Sequence, residues 1–236
     1  MKKNLNIKIF ADGADIKGIE EMSKNSLISG FTTNPTLMRK ANVKDYKSFS
    51  MEVLKIIEKK PISFEVFADD FLDMERQAME IASWGSNVYV KIPVTNTKSI
   101  FSGPLIKNLA NRGVQLNVTA VMTLDQTLRI VENLSENIPA IVSVFAGRIA
   151  DTGIDPIPVM SEALRIISVK PKTELIWASP RELLNIFQAN DIGCHIITAT
   201  GDILKKMNLI GKDLEDFSLE TVDMFYRDAK AAGYKL

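Results

Sequence analysis

Val88-Tyr89-Val90-Lys91-Ile92-Pro93-Val94 is a run of β-branched and aromatic residues broken by a single lysine. A short apolar run of this composition reads as a buried strand. Pro93 has no amide hydrogen to give a neighbouring strand, so the strand is expected to end just past Lys91. An ammonium in that setting must find a partner, reach solvent or lose its proton. A neutral amine is what a carbonyl-attacking nucleophile requires. The alternative is a lysine whose stem lies on apolar surface while its head reaches water.

Seven further runs of the same kind occupy residues 7–11, 27–32, 62–67, 115–121, 138–145, 174–178 and 195–199. Between most of them lies text with apolar residues every three or four positions, as in 74–83, 103–112, 124–134, 158–168 and 181–190, which is the spacing of a helix with one buried face. Short apolar runs separated by amphipathic segments imply parallel strands joined by crossover helices. Eight of them favour a closed (β/α)8 TIM barrel over an open doubly wound sheet. Residues 46–60 read as a helix ending in the basic pair Lys59-Lys60, and 151–158 as an extended loop leading into a helix. Past the last strand, helices beginning at 201 and spanning 219–232 form a tail from about residue 202, which either caps the barrel or packs on a neighbouring subunit. No low-complexity segment or polar linker divides the chain, so 1–236 is expected to be one α/β domain, although two small domains remain open.

A chain of 236 residues has the usual size of a single closed barrel. Lysine plus arginine equals aspartate plus glutamate at 29 each, so no overall field recruits nucleic acid or an anionic membrane. The longest apolar stretches fall well short of the roughly 20 residues that span a bilayer. The start Met1-Lys2-Lys3-Asn4-Leu5-Asn6-Ile7 lacks the apolar core of a secretory signal, and the expected location is cytoplasmic. Cys194 is the only cysteine and His195 the only histidine, which excludes an internal disulfide, a cysteine cluster and a multi-histidine zinc site. Neither a metal nor a cofactor is expected. The chemistry must then run on lysine, carboxylates, hydroxyls and a bound water.

In a closed barrel the C-terminal ends of the strands converge on one mouth, where sites of this fold are built. The first strand ends at Asp12, the second at Thr32, Thr33 and Asn34, and the third and fourth carry Glu65 and Lys91. Asn117 and Thr119 lie two apart on the fifth, so they share one face. Ser143 and then Arg148 follow on the sixth, and the seventh ends at Ser179 with Arg181 behind it. A structural hydrogen-bond network accounts for two or three such residues. It explains poorly why both acids and the lysine occupy strands where valine or isoleucine would be more stable. Arg148 and Ser179 make sense together as an anion site, since a guanidinium fork and a hydroxyl near a helix start both suit phosphate. A salt bridge from Arg148 to Asp151 or Asp155 is the competing explanation. Arg181 falls in what reads as the first turn of a helix, where a positive charge opposes the dipole, which points to a ligand or a fixed carboxylate partner.

Other features read as structural. Gly30-Phe31-Thr32-Thr33-Asn34-Pro35 lacks the glycine spacing of a nucleotide loop. His195 beside Cys194 reads as a packing residue, Trp84 and Trp177 as core, and Asp69-Asp70 as a helix start.

The same residues resemble the transaldolase family, specifically the small subfamily that includes the fructose-6-phosphate aldolases. Phe10-Ala11-Asp12-Gly13-Ala14-Asp15 looks like its first-strand motif, Thr32-Thr33-Asn34-Pro35 matches its signature, and Val90-Lys91-Ile92-Pro93 matches its Schiff-base lysine motif. Asn117-Val118-Thr119, Ser143-Val144-Phe145-Ala146-Gly147-Arg148-Ile149 and Ala178-Ser179 come next in order, so the likeness covers nearly the whole chain. One such match would be weak, whereas six in register on successive strands are strong.

The resemblance implies a (β/α) barrel and a metal-free Schiff-base mechanism on sugar phosphates. Lys91 would form the imine with a donor ketose, and Asp12 would take the proton from the hydroxyl whose carbon–carbon bond breaks. Glu65 and Thr119 would hold the water that shuttles protons. Thr33 and Asn34 would line the mouth, and Asn117 and Ser143 would bind sugar hydroxyls. Arg148 with Ser179, and Arg181 as a further candidate, would grip a terminal phosphate. Glu65 and Phe145 look like transaldolases, where the aldolases resemble Gln and Tyr, so transfer of a dihydroxyacetone unit is expected over its release. Gly13 stands where the family usually has Thr or Ser, and Pro180 where Phe is common. These departures keep open an aldolase for fructose 6-phosphate or an unusual ketose, beside a sugar-phosphate-binding protein without turnover. The family is typically oligomeric, with small members often built as rings of five or paired rings, so a pentamer or decamer is the implied assembly.

Overall fold

Eight parallel strands close on themselves in the order of the sequence in the computed structural model, which describes residues 5–236. They are β1 (Lys8–Asp12), β2 (Ile28–Thr32), β3 (Ile62–Glu65), β4 (Val88–Pro93), β5 (Leu116–Val121), β6 (Ala140–Val144), β7 (Thr173–Trp177) and β8 (Ile196–Thr200). The first four strands are followed by α1 (Ile16–Ser23), by α2 (Pro35–Lys40) and α3 (Tyr46–Ile56), by α4 (Phe71–Ala82) and by α5 (Gly103–Asn111). The last four are followed by α6 (Leu124–Asn133), by α7 (Ala146–Asp151) and α8 (Pro156–Ile167), by α9 (Leu184–Asp191), and by α10 (Gly201–Lys205), a 3-10 turn at Lys206–Leu209 and α11 (Leu214–Ala231). The architecture is the expected α/β barrel with extra C-terminal helices. The N-terminal stretch expected to carry no secretory signal lies partly in 1–4, outside the described residues.

Strand alternation sorts the side chains into two layers. Val90 and Ile92, both 0% exposed, point outward into the large core between strands and helices. Tyr89 points inward, onto a smaller cluster of Phe10, Ile141, Ile176, Ala178 and Ile196 that fills the barrel. Lys91 shares the inward face of β4 with Tyr89, two residues nearer the mouth. The parallel register sets Lys91 beside Glu65 of β3 on one side and Asn117 of β5 on the other.

Several element ends differ from the sequence reading, and the shifted starts of three helices trace to side-chain caps. The helix expected over 46–60 stops at Ile56, and Lys60 is no solvated helix end: its Nζ donates to the carbonyls of Ser23 and Asn25 at 2.9 and 3.2 Å. The extended loop expected over 151–158 is shorter, because Asp151 closes α7 and Asp155 caps α8 by accepting the Ile157 amide at 2.9 Å. The helix expected from 181 starts at Leu184, because the Asn185 side chain accepts the amides of Arg181 and Glu182 at 2.7 and 3.1 Å. The final helix starts earlier than 219, with Asp213 accepting the amides of Glu215 and Asp216. The short α2 was not legible at all, although Asn34 at its N-cap and Pro35 at its first position are standard start signals.

No residue of α11 is buried, and it presents Phe217, Leu219, Val222, Phe225 and Tyr226 to solvent. Among the described residues, no helix is long and apolar enough to cross a membrane.

Gly30 sits inside the barrel against the Phe10 ring, where an added Cβ would lie 2.5 Å from the ring's Cζ. Phe10 is 2% exposed and enclosed by its cluster, so the ring has nowhere to retreat. Gly30→Ala should destabilise the fold by about 1–3 kcal/mol, read as a lower urea midpoint at unchanged slope.

Candidate active site

The C-terminal mouth of the barrel encloses a cavity of about 410 Å³, lined among others by Asp12, Glu65, Lys91, Thr119, Ser143, Arg148 and Ser179. With Thr32 and Thr198 also in the lining, all eight strand ends contribute to one space, although their residues are spread over most of the chain.

Lys91 lies at the centre of this constellation and is 5% exposed. Its Nζ donates to the Thr33 carbonyl at 2.9 Å and pairs with Glu65 Oε2 at 3.1 Å. Burying an ion pair is expensive unless geometry and hydrogen bonds compensate, and here the β3–β4 register supplies the geometry. The strand position of Glu65 is clamped from outside the barrel. The Tyr46 hydroxyl donates to the Glu65 carbonyl at 2.7 Å and accepts from its amide at 2.8 Å. Burial pushes the Tyr46 phenol above its ordinary range, so the clamp stays protonated.

Asp12 stands at the end of β1. The Thr32 hydroxyl donates to its Oδ1 at 2.8 Å, and Thr32 in turn makes a short contact with the Thr198 hydroxyl. Since Thr32 gives its proton to the carboxylate, Thr198 must be the donor in the second bond. Burial raises the Asp12 pKa above the usual carboxylate value, and Glu65 adds to this; Lys91 and then the Thr32 hydrogen bond pull it back.

A second network lies one layer beneath. Asn117 is fully buried, donates from Nδ2 to Ser63 Oγ at 2.9 Å and accepts from Ser143 Oγ at 2.7 Å. Asn117 does not line the cavity, whereas Ser143 does. Its amide orients a hydroxyl that faces the cavity. Thr33 is likewise off the lining, 1% exposed, and meets the site through its backbone carbonyl. Asn34 does line the mouth while its side chain accepts the Leu37 amide at 3.0 Å. The Thr119 hydroxyl is buried without a hydrogen-bond partner among the described residues and borders the cavity. A buried hydroxyl in that position is available to hold a water or a sugar oxygen. The next residue, Ala120, adopts φ 62 at a break in the β5–β6 register, and its methyl is exposed at the rim. Such a backbone at a non-glycine residue is costly and clusters at functional sites.

The cavity lining also carries a cation, Arg148. The Arg148 guanidinium lies over the Phe145 ring, 5.8 Å from its centroid. Arg148 makes no salt bridge among the described residues: Asp151 spends both oxygens on Arg181, and Asp155 caps α8. Arg181 precedes α9 instead of opening it, so the clash with a helix dipole does not arise. It has the fixed carboxylate partner that was one of the two explanations for its position, and it does not line the cavity. Ser179 does, in a left-handed conformation at φ 60.

Thr198, Ser63 and Tyr46 were not singled out in the sequence. Alternation carried a signal for two of them: Ser63 lies two before Glu65, and Thr198 lies two before the end of β8. Nothing in the sequence links Tyr46, on a helix, to Glu65. Among the described residues no group of histidine, cysteine and carboxylate side chains could hold a metal ion. Burial carries the Cys194 thiol up to about 12, leaving it inert. His195 Nδ1 accepts the Leu175 amide at 3.1 Å, and burial lowers its pKa, so it is a neutral packing residue.

Comparison with known proteins bears on this site. The family profile described as Transaldolase/Fructose-6-phosphate aldolase matches residues 9–236. A "probable transaldolase" of Dehalococcoides mccartyi is 35% identical over 202 residues, covering 85% of this chain and 90% of that protein. Another, from a Thermoanaerobacter species, is 32% identical over 232 residues, covering 98% and 100%. A third, from Clostridium acetobutylicum, is 33% identical and covers 96% and 99%. Among solved structures, the thiamine phosphate pyrophosphorylase of Pyrococcus furiosus superposes with TM-score 0.55 at 9% identity, covering 82% of this chain and 85% of that one. The KGPDC of Streptococcus mutans gives 0.55 at 12%, covering 86% and 90%. At such low identity these two concern the barrel fold alone.

The environment of Asp12 has a thermodynamic consequence. Its folded pKa lies above the unfolded value of 3.8, so the native state binds the proton more tightly. Stability from this group is present at pH below that value and is lost as pH rises through the folded pKa. Asp12→Asn should therefore raise Tm at neutral pH, by on the order of 2 °C, and the gain should vanish near pH 3. Thermal melts of both proteins across that range check the sign; a variant less stable than the parent at pH 7 would contradict it.

Proposed function

The chain belongs to the transaldolase/fructose-6-phosphate aldolase family, and from that premise we propose a class I transaldolase that moves a dihydroxyacetone unit between sugar phosphates. The observation that carries the reading is the Lys91–Glu65 pair in the lining of a cavity that also holds an arginine without a carboxylate partner among the described residues. In this reading the Lys91 ammonium passes a proton to Glu65, directly or through a water held by Glu65 and the Thr119 hydroxyl, and adds as an amine to the C2 carbonyl of a ketose phosphate. Loss of water gives a protonated imine, which is the electron sink for carbon–carbon cleavage. Asp12, whose carboxylate is made more basic by burial, takes the proton of the C4 hydroxyl. The C3–C4 bond breaks, the aldose phosphate leaves, and the three-carbon unit stays on Lys91 as an enamine. Attack of that enamine on a second aldose phosphate, then hydrolysis, completes the transfer. Fructose 6-phosphate as donor and erythrose 4-phosphate as acceptor fit this scheme.

Ser143, held by Asn117, is suited to a sugar hydroxyl. Arg148 and Ser179 are suited to the terminal phosphate, far enough from the reacting carbons to contribute by placement. Thr33 serves through its carbonyl and Asn34 through the start of α2. An added Cβ at Gly13 would meet nothing within 4 Å, so the loss of the family's usual hydroxyl there leaves space beside Asp12. That space favours, as a second reading, an aldolase or transferase for a modified ketose. Sugar phosphates do not cross membranes unaided, which makes the cytoplasm the place of action.

The apolar residues that α11 leaves exposed support a homo-oligomer in which this helix packs on a neighbouring copy, a pentamer or decamer. Sedimentation of the full chain should give a mass of five or ten copies; a monomer at micromolar concentration would remove this part.

An assay with fructose 6-phosphate tests the reaction. Product should form rapidly with erythrose 4-phosphate present and at least about 100-fold more slowly without it. Equal rates would make the protein an aldolase. Lys91→Met should remain folded and lose at least about 10⁴ in rate, since no other amine takes over the covalent step. Arg148→Ala should chiefly weaken use of phosphorylated sugars; an unchanged ratio of phosphorylated to unphosphorylated substrates would remove the anion role.

A further inference from the structure

On the β4 side of β3, Ile62 donates its amide to the Asn87 carbonyl at 3.0 Å and Val66 donates to the Lys91 carbonyl at 3.1 Å. Consecutive residues of a strand face opposite neighbours, so the amide and carbonyl of Glu65 face β2. The ladder on that side is short. Among the described residues β2 and β3 pair only at Phe31–Ile62 and Thr32–Ser63, and the last bond between them runs from the Thr33 amide to the Ser63 carbonyl at 3.3 Å. The next bond of a regular parallel ladder would carry the Glu65 amide to the Thr33 carbonyl. Here the chain turns instead at Asn34 into α2, and the Thr33 carbonyl accepts Lys91 Nζ at 2.9 Å.

Tyr46 fills the gap. Its hydroxyl accepts from the Glu65 amide at 2.8 Å and donates to the Glu65 carbonyl at 2.7 Å, so one oxygen does for Glu65 what a continued β2 would do. A phenol does both only while it keeps its proton, which burial ensures. The ring is fixed at its backbone and at its faces. Tyr46 is the first residue of α3, whose N-cap Asp45 accepts the Ser48 amide at 2.7 Å. Around the ring stand Phe67, Trp84 and Phe64, with centroids 5.2, 6.1 and 6.5 Å away.

We infer that Tyr46 is a positioning residue for the covalent step: by taking over the backbone of Glu65 it leaves the Thr33 carbonyl to hold the Lys91 nitrogen, and it fixes the Glu65 carboxylate, 3.1 Å from that nitrogen, as the acceptor of its proton. This rests on the Schiff-base reading of Lys91. Without the hydroxyl, two backbone groups of β3 lose their partner. The Glu65 amide then closes the ladder on the Thr33 carbonyl, drawing it from Lys91 and shifting the carboxylate with its strand. Tyr46 does not line the cavity, so it meets no substrate. Its contribution is to the addition of the amine and not to the hold on the sugar.

Tyr46→Phe keeps the ring and removes only the oxygen. Two quantities are read, neither of which depends on the amount of folded protein. One is the rate constant at which an adduct reducible by borohydride appears on Lys91 with fructose 6-phosphate in excess. The other is the dissociation constant, by calorimetry, of glucitol 6-phosphate, which has no carbonyl. In Tyr46→Phe the rate constant should fall at least about tenfold while the dissociation constant stays within about twofold of the parent. Trp84→Phe, which loosens the packing around the ring and leaves the hydroxyl, should lower Tm and keep the rate constant within about twofold. An unchanged rate constant in Tyr46→Phe would overturn the proposal. So would equal losses of rate and of glucitol 6-phosphate affinity, because Tyr46 would then support the cavity as a whole. A loss of rate in Trp84→Phe as large as in Tyr46→Phe would overturn it too, making packing the cause and not the hydroxyl. If the parent protein itself forms no adduct on Lys91, the Schiff-base reading fails and this inference with it; if the parent does and Tyr46→Phe matches it, the inference fails alone.

Discussion

A lysine ammonium and a glutamate carboxylate, 3.1 Å apart between adjacent parallel strands, are the constraint around which the mouth of this barrel is arranged. Removing one partner from such a buried pair typically costs about 3–5 kcal/mol, while a well-packed apolar pair of similar size would often be as stable or more so. The pair therefore has little to recommend it as a stabilising device. Its surroundings are built to keep it in place. Tyr46 reaches across from a helix to hold both backbone groups of Glu65, and the Thr33 carbonyl takes one of the Lys91 protons. The nitrogen becomes a nucleophile only once it has given up a proton, and Glu65 is the carboxylate in contact with it.

The rest of the polar layer divides into two kinds of group. Asp12, Thr119 and Ser143 face the cavity. Thr32 and Thr198 line it as well and hold Asp12, while Asn117 and Ser63 lie beneath and orient Ser143. Buried hydrogen-bond chains of this sort stiffen a site because every member constrains the next. Backbone strain touches the same rim: of the four non-glycine residues with positive φ among the described residues, two, Ala120 and Ser179, line the cavity. The two arginines that follow β6 and β7 are organised by a different principle, one committed to a carboxylate and the other left over an aromatic ring.

The barrel was legible because its strands satisfy two independent patterns, β-branched composition and short length between amphipathic segments. Lys91, Asp12 and Glu65 stood out because a charge inside such a run violates the pattern that identifies it. Helix ends were less legible, since they depend on which side chain turns back to cap: Asn185 delays α9 and Asp155 advances α8, and either residue would look equally at home in a loop. Thr198 and Ser63 were missed because a hydroxyl on an inward face looks the same whether it satisfies a neighbour or serves a ligand. Alternation puts Asn117 on the same face as Thr119, yet it does not separate a residue that lines the cavity from one that lies a layer below. For Arg181 both explanations were visible, and the Asp151 contact selects the carboxylate.

Covalent capture of substrate addresses the central claim without relying on any variant. The protein is incubated with fructose 6-phosphate, reduced with borohydride and digested, and its peptides are weighed. The account predicts a single stable adduct on the peptide containing Lys91. The absence of an adduct there, or one on a different lysine, would contradict it.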